Sequence, residues 1–69
     1  MQILLRNFKT GAFFKTGADW PTDQNEALNF EGRRLAVAVA RELRLQNIEI
    51  LHVGEDGTPY LRTRLDIDP

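Results

Sequence analysis

The sequence predicts a small α+β fold, in which one helix packs across one face of an antiparallel sheet of about four strands. The segment 31–45 carries the only long helical pattern of the chain. Segments with strand-like character flank it on both sides, at 2–15 and at 48–67. Strands placed before and after a single helix indicate the element order β-β-α-β-β.

The length of 69 residues limits the chain to one domain, which we place at 1–69. A chain of this size buries only about 60% of the surface that its unfolded form exposes. The sequence contains no cysteine, so disulfides and thiolate–zinc sites cannot add stability. We therefore expect either a densely packed core or self-association.

The composition indicates a globular protein rather than a disordered one, since 42% of the residues are hydrophobic and 28% are charged. No segment approaches the ~20 apolar residues of a membrane span, and no signal-peptide pattern opens the chain. We therefore expect a cytoplasmic protein without a membrane partner. The formal net charge of −1 argues against general coating of nucleic acid.

A first hairpin is predicted ahead of the helix. The segment 2–8 carries apolar and β-branched side chains without helical periodicity, which favours a strand. A glycine-containing turn at 9–11 follows, and 12–15 return as a short second strand. Asp23 and Glu26 have the spacing of a capping box, which predicts a single helical turn after the hairpin.

The helix is predicted from the spacing of apolar residues within 31–45. They recur at i, i+1, i+4, i+5 and i+8 from Leu35, so one side of a helix is apolar. No glycine or proline interrupts the pattern after Gly32. Asn47 follows and is suited to the left-handed conformation that ends many helices.

A second hairpin is predicted after the helix. Its strands are 48–53 and 59–67, separated by a strong turn signal at 54–57. Asp66 and Asp68 share one side of the last strand, where a solvated acidic tail is favoured over a cation site. The predicted core takes apolar residues from all of these elements: Ile3, Leu5, Phe13, Phe30, Leu35, Val39, Leu43, Ile48, Ile50, Leu61 and Leu65.

Residue types that several kinds of catalysis need are missing. The chain has no serine and no cysteine, which removes the common acyl-transfer nucleophiles. His52 is the only histidine, and a lone histidine on a strand is far more often structural than catalytic. Glycine loops that bind nucleotide phosphates are not found in the sequence. We expect a protein that is not an enzyme, with no cofactor and no metal site.

Basic side chains form the first candidate contact surface. They are Arg33, Arg41 and Arg44 on one side of the helix, and Lys9 and Lys15 on the first hairpin. Basic residues interleaved with aromatic ones on a small sheet are typical of single-strand nucleic-acid binding. The alternative is that the phenylalanines face the helix while the two lysines protect an edge from unwanted pairing. The net charge favours this alternative.

Apolar side chains on the sheet form the second candidate surface. One helix covers one sheet face, so the other face is predicted to be open. That face carries Leu4, Phe8, Leu51 and Val53, and exposed apolar area of this kind marks an interaction surface. The favoured hypothesis is a protein-interaction or regulatory module that binds an unknown protein or itself as a homodimer. Nucleic-acid binding through the basic residues is the alternative.

Packing and turn motifs along the chain point to one family. They are Leu5-Arg6-Asn7, Thr10-Gly11, Phe13-Phe14, Trp20, Glu26-Ala27, Phe30 and the helix that follows. With these motifs the chain resembles a family of short bacterial proteins to which no function has been assigned. The resemblance covers nearly the whole length. It implies the small α+β fold and a bacterial origin, and it implies no activity and no catalytic residue.

Overall fold

The computed structural model describes residues 1–67, in which three antiparallel strands and one helix form a small α+β structure. The strands are ordered β1-β2-β3, so β2 is central. The sequence-predicted Asp68, at the end of the acidic tail, lies outside the described residues. The elements are β1 (Gln2–Asn7), a 3₁₀ turn (Gln24–Glu26), α1 (Arg33–Glu42), β2 (Ile48–Val53) and β3 (Pro59–Arg64).

The predicted fourth strand at 12–15 is wrong, and the order within the described residues is β-α-β-β. Of this segment, Phe13 alone pairs with β1, as an isolated bridge. A turn precedes it, in which the N–H of Gly11 donates to the carbonyl of Asn7, and a bend at 15–18 follows it. Because the chain reverses on both sides, the segment is too short for the repeated pairing of a ladder.

The sheet face towards α1, called here the helix-side face, carries the larger core. Ile3 and Leu5 of β1 and Ile50 of β2 are buried there against Ala36 and Ala40 of the helix. The small alanine side chains let the helix axis lie close to the sheet. Phe14, Phe30 and Ile48 complete this core, with Trp20, Val37, Val39, Leu45, Leu65 and Ile67 packed against it.

Three leucines are exceptions to the predicted core. Leu35, Leu43 and Leu61 are 48%, 47% and 46% exposed. The helix turns Ala36 towards the sheet, and Leu35 lies about 100° away around the helix axis. Leu43 is the C-cap residue, after the last helical residue. Leu61 is exposed because α1 packs over β1 and β2 but not over β3.

The opposite face of the sheet, called here the far face, is covered, which contradicts the prediction of an open face. Leu4, Leu51 and Val53 are buried there with Phe13 in a second core. Phe13 is the bridge partner of Arg6, so both side chains lie on this face. The segment predicted as a strand therefore supplies the cover, and these three residues do not form an exposed surface.

The helix ends earlier than predicted, in a Schellman motif. Arg44 takes the left-handed conformation, with a φ of 52°. The N–H of Leu45 donates to the carbonyl of Ala40 (3.0 Å), and the N–H of Arg44 donates to the carbonyl of Arg41 (3.1 Å). Asn47 is also left-handed, with a φ of 59°, but it lies beyond the motif, so Arg44 takes the helix-ending position that was predicted for Asn47.

Candidate interaction surface

The outer edge of β1 is closed by the chain between the first turn and the helix. Outward-facing backbone groups of Ile3, Leu5 and Asn7 are bonded, although no complete strand lies beside them. The hydrogen bonds are Ile3 N–H to Asn29 Oδ1 (3.1 Å), Phe30 N–H to the Ile3 carbonyl (2.9 Å), Phe14 N–H to the Leu5 carbonyl (2.9 Å) and Asn7 N–H to the Ala12 carbonyl (2.8 Å).

The outer edge of β3 is open. The N–H of Leu65 donates to the carbonyl of Ile48 (2.9 Å), so the backbone groups of Leu65 point towards β2. Backbone groups alternate in direction along an antiparallel strand, so those of Arg62 and Arg64 point away from β2. No other strand or bridge of residues 1–67 pairs with this edge. β3 therefore presents free donors and acceptors to a partner.

Apolar side chains lie on the helix-side face of β3. Leu61 is cross-strand from His52, and Tyr60 is 60% exposed beside it. Strict alternation would place Tyr60 on the far face, but the ladder has an irregularity at His52 and Val53. The Tyr60 ring consequently lies 6.1 Å from the His52 ring, and its hydroxyl donates to Sδ of Met1. Tyr60 and Leu61 thus form one exposed apolar area, because α1 does not reach β3.

Basic side chains lie on the far face of β3. Arg62 and Arg64 are exposed, and neither has a carboxylate within 4.0 Å among the residues described. The guanidinium carbon of Arg64 lies 4.2 Å from the centroid of the Phe8 ring. Phe8 is half-buried under it, and is thus the one predicted sheet-surface residue that borders an exposed site. We call the open edge with Tyr60, Leu61, Arg62 and Arg64 the β3 surface.

A single carboxylate lies between two arginines on the far face. Glu49 is cross-strand from Arg6 on one side and from Arg64 on the other. Its Oε2 accepts a hydrogen bond of 2.9 Å from Nη1 of Arg6, and its side chain is only 5% exposed. The charge of Glu49 is therefore neutralised by Arg6 and not by Arg64. The guanidinium of Arg64 is exposed to solvent and stacks on the ring of Phe8. The β3 surface consequently carries a surplus of positive charge.

Acidic residues gather where β3 begins. Nε2 of Gln24 donates to the carbonyl of Gly57 (2.9 Å), which joins the 3₁₀ turn to the β2–β3 turn. Asp23 caps the 3₁₀ turn by accepting from the N–H of Asn25 (2.9 Å), as its position in the sequence predicts. The two turns together carry Asp23, Glu26, Glu55 and Asp56. Charge along β3 therefore changes from negative at its start to positive at Arg64.

The predicted helix stripe is only partly brought together. Arg33 and Arg41 line one shallow depression, together with Arg34. Arg44 lies beyond the helical turn and lines a different depression with Arg41 and Asp66. The stripe is consequently a set of solvent-exposed side chains with an acid at one end, and no aromatic ring lines either depression.

The two lysines of the predicted first hairpin lie apart from the helix stripe. Lys9 is exposed on the turn after β1, and Lys15 lies 4.0 Å from Asp19 in an exposed ion pair. Phe13 and Phe14 are buried, so neither ring is available for stacking on a base. The hypothesis that the first hairpin binds nucleic acid depends on exposed aromatic rings, and these two rings do not provide them.

Among residues 1–67, His52 is not in a cluster of histidine and carboxylate side chains. Its Nδ1 is buried without a hydrogen-bond partner, and its ring faces Tyr60. In the described part of the chain, no three histidine or carboxylate side chains are grouped so as to hold a metal ion. Across residues 1–67, no helix has the length and apolar character needed to cross a membrane.

The arginines of β3 are the residues that sequence reasoning missed. The alternation in 59–67 predicts that Arg62 and Arg64 share a face, but it does not show that β3 is an open edge. That property depends on the strand order and on the segment that closes β1. A signal was present in the sequence, since Pro59 is suited to the first position of an edge strand.

Comparison with protein-family models, with curated proteins and with solved structures gives no match for this chain. The resemblance to a family of short bacterial proteins therefore stays a prediction.

Proposed function

We propose that this chain is a non-catalytic protein-interaction module, and that its partner adds to the open edge of β3. The observation that carries the proposal is the difference between the two sheet edges. Outward-facing groups of Ile3, Leu5 and Asn7 are bonded by residues 11–30, whereas those of Arg62 and Arg64 have no strand beside them among residues 1–67. Edge strands of this kind bind extended segments through main-chain hydrogen bonds.

Side chains on β3 support the same surface. Natural edge strands are usually protected by charges, bulges or covering loops. β3 has an irregularity near its start and two arginines, but it also exposes Tyr60 and Leu61. Aromatic residues and arginine are the types enriched where proteins contact each other. One strand thus combines main-chain groups, apolar area and cations within a short distance.

Site-specific photocrosslinking in the native cell tests the proposal. A photoreactive phenylalanine analogue at position 60, which is 60% exposed, keeps both arginines of β3 and should capture a discrete protein. The matched control carries the same residue at position 26, which is exposed at the acidic end of the molecule. Capture from position 60 alone supports the proposal. No product, or equal products from both positions, contradicts it.

Self-association is a second candidate, which the exposed leucines of the helix favour. α1 turns Ala36 and Ala40 inwards, and leaves Leu35 and Leu43 half exposed on its outer side. Val39 lies between them and, with Ala38, Glu42 and Leu43, lines a shallow apolar depression. If two copies packed through this side of α1, each copy would cover the exposed leucines of the other. Light scattering at high concentration decides it: a strict monomer rejects the homodimer, and a dimer that Leu43→Glu dissociates supports it.

A further inference from the structure

The chemistry of the β3 surface specifies what kind of segment it binds. We infer that the partner is an extended peptide segment in which acidic and apolar side chains alternate, and that it pairs with the open edge of β3. The inference rests on the proposed function and deepens it. Its basis is that β3 exposes apolar side chains on the helix-side face of the sheet and arginines on the far face.

The two faces of β3 require different side chains in an added strand. A strand that pairs with β3 continues the sheet, so its side chains alternate between the helix-side face and the far face. On the helix-side face it meets Leu61 and the bulged Tyr60. On the far face it meets Arg62 and Arg64. Apolar residues suit the helix-side face and carboxylates suit the far face. A strand in which apolar and acidic residues alternate places each type on the face that suits it.

The guanidinium of Arg64 is held ready for a carboxylate. It lies against the Phe8 ring at 4.2 Å, so part of its conformational freedom is already lost before binding. Glu49, the nearest cross-strand acid, is occupied by Arg6 at 2.9 Å. Arginine binds carboxylates through paired hydrogen bonds that are stronger than those between neutral groups. An acid in the added strand therefore finds a pre-positioned partner.

A second copy of this chain suits the edge less well. Two β3 strands paired in antiparallel fashion would bring Arg62 and Arg64 of both copies onto one face of a joint sheet. Like charges placed opposite each other across strands are destabilising. The charge distribution therefore favours an acidic segment from another protein over self-pairing at this edge.

A short labelled peptide in which valine and glutamate alternate tests the inference by fluorescence anisotropy. We expect measurable binding to the full chain that weakens as salt is added. Arg62→Glu and Arg64→Glu should each weaken binding about tenfold or more, since each change removes charge-assisted hydrogen bonds and adds a like charge. Arg34→Glu, an equal change of charge on the exposed helix, is the matched control and should leave binding unchanged.

Further peptides separate strand addition from simple charge attraction. Lysine in place of glutamate should abolish binding. A peptide of the same composition, with valines and glutamates in separate blocks, should bind at least about tenfold more weakly, because it cannot serve both faces. Two peptides are N-methylated on alternate amides, one on the amides of the valines and the other on those of the glutamates. Only one of the two should lose binding, since only one set of N–H groups faces β3.

Equal binding of the alternating and block peptides overturns the inference, as does an unchanged affinity in both arginine variants. Tighter binding of single-stranded DNA or RNA than of the peptide at low salt also overturns it, in favour of a nucleic-acid partner. If no peptide binds while a crosslinker at position 60 captures a protein, the inference falls and the proposed function stands. If both experiments fail, both proposals fall.

Discussion

Arg6 donates a hydrogen bond of 2.9 Å from Nη1 to Oε2 of Glu49, and this pair joins β1 to β2 on the far face of the sheet. The two partners differ in exposure, since the side chain of Arg6 is 30% exposed and that of Glu49 is 5% exposed. Removal of the arginine leaves a buried carboxylate without its partner. Removal of the carboxylate leaves a cation that already reaches solvent.

Arg6→Met should lower the free energy of unfolding by about 3 kcal/mol, the lower end for breaking a buried ion pair, because Arg6 is partly exposed. Urea denaturation measures the change. The control is Arg6→Met combined with Glu49→Met, which removes both charges and should recover much of the loss. A double variant as unstable as the sum of the two single variants would contradict a direct interaction.

Phe8→Leu should release Arg64 from its position while keeping apolar volume at the site. We expect a double-mutant cycle with Arg64→Gln to give a coupling energy of about 0.5–1 kcal/mol, as for exposed cation–π pairs. The measurement is urea denaturation of the four proteins at low and high salt. A cycle of Phe8→Leu with Arg62→Gln is the reference and should give no coupling, since Arg62 does not stack on this ring.

Arg44→Gly should stabilise the fold by about 1 kcal/mol. Arg44 has a φ of 52° at the end of α1, a conformation that glycine adopts without the strain that a Cβ causes. Arg41→Gly, within the helix, removes the same side chain type and should destabilise by a similar amount. Thermal unfolding of both variants checks the pair, and two changes of the same sign would show that the motif does not control the outcome.

Ala40→Leu should destabilise the fold by about 2 kcal/mol, although it makes the helix more apolar. Ala40 is fully buried between the helix and the sheet, so extra methyl groups have to displace one of them. Leu43→Ala removes the same bulk from the half-exposed outer side, and should cost less than about 1 kcal/mol. Denaturant titration ranks the two variants. The reverse order would mean that Leu43, not Ala40, faces the core.

The parts of the fold that follow from local pattern were predictable from the sequence. The periodic segments predict the helix and the strands β1, β2 and β3, and the position of Asp23 predicts the cap of the 3₁₀ turn. The other features depend on contacts between residues that are far apart in the sequence. Whether 12–15 form a strand depends on how tightly the chain reverses on each side. Which side of α1 faces the sheet depends on the packing of Ala36 and Ala40, whose small size makes them weak signals in a hydrophobic pattern.

The candidate site was less predictable than the fold, for a physical reason. Because the sequence predicts one helix, which covers one sheet face, it leaves Leu4, Leu51 and Val53 on an open face. Only the three-dimensional position of Phe13 shows that these residues are covered. Arg62 and Arg64 have the sequence character of an ordinary polar face. Their position on an open edge follows from strand order, which alternation along one strand does not encode.

The closed edge of β1 also determines how many partners a sheet of this kind can take. An added strand would occupy β3, and the bonds of Ile3, Leu5 and Asn7 leave little for another strand on the opposite side. Growth by edge pairing would therefore stop after one addition, with a stoichiometry of one segment per chain. Fibrils require two edges that each template the next molecule. A chain with only one such edge can bind by strand addition without polymerising.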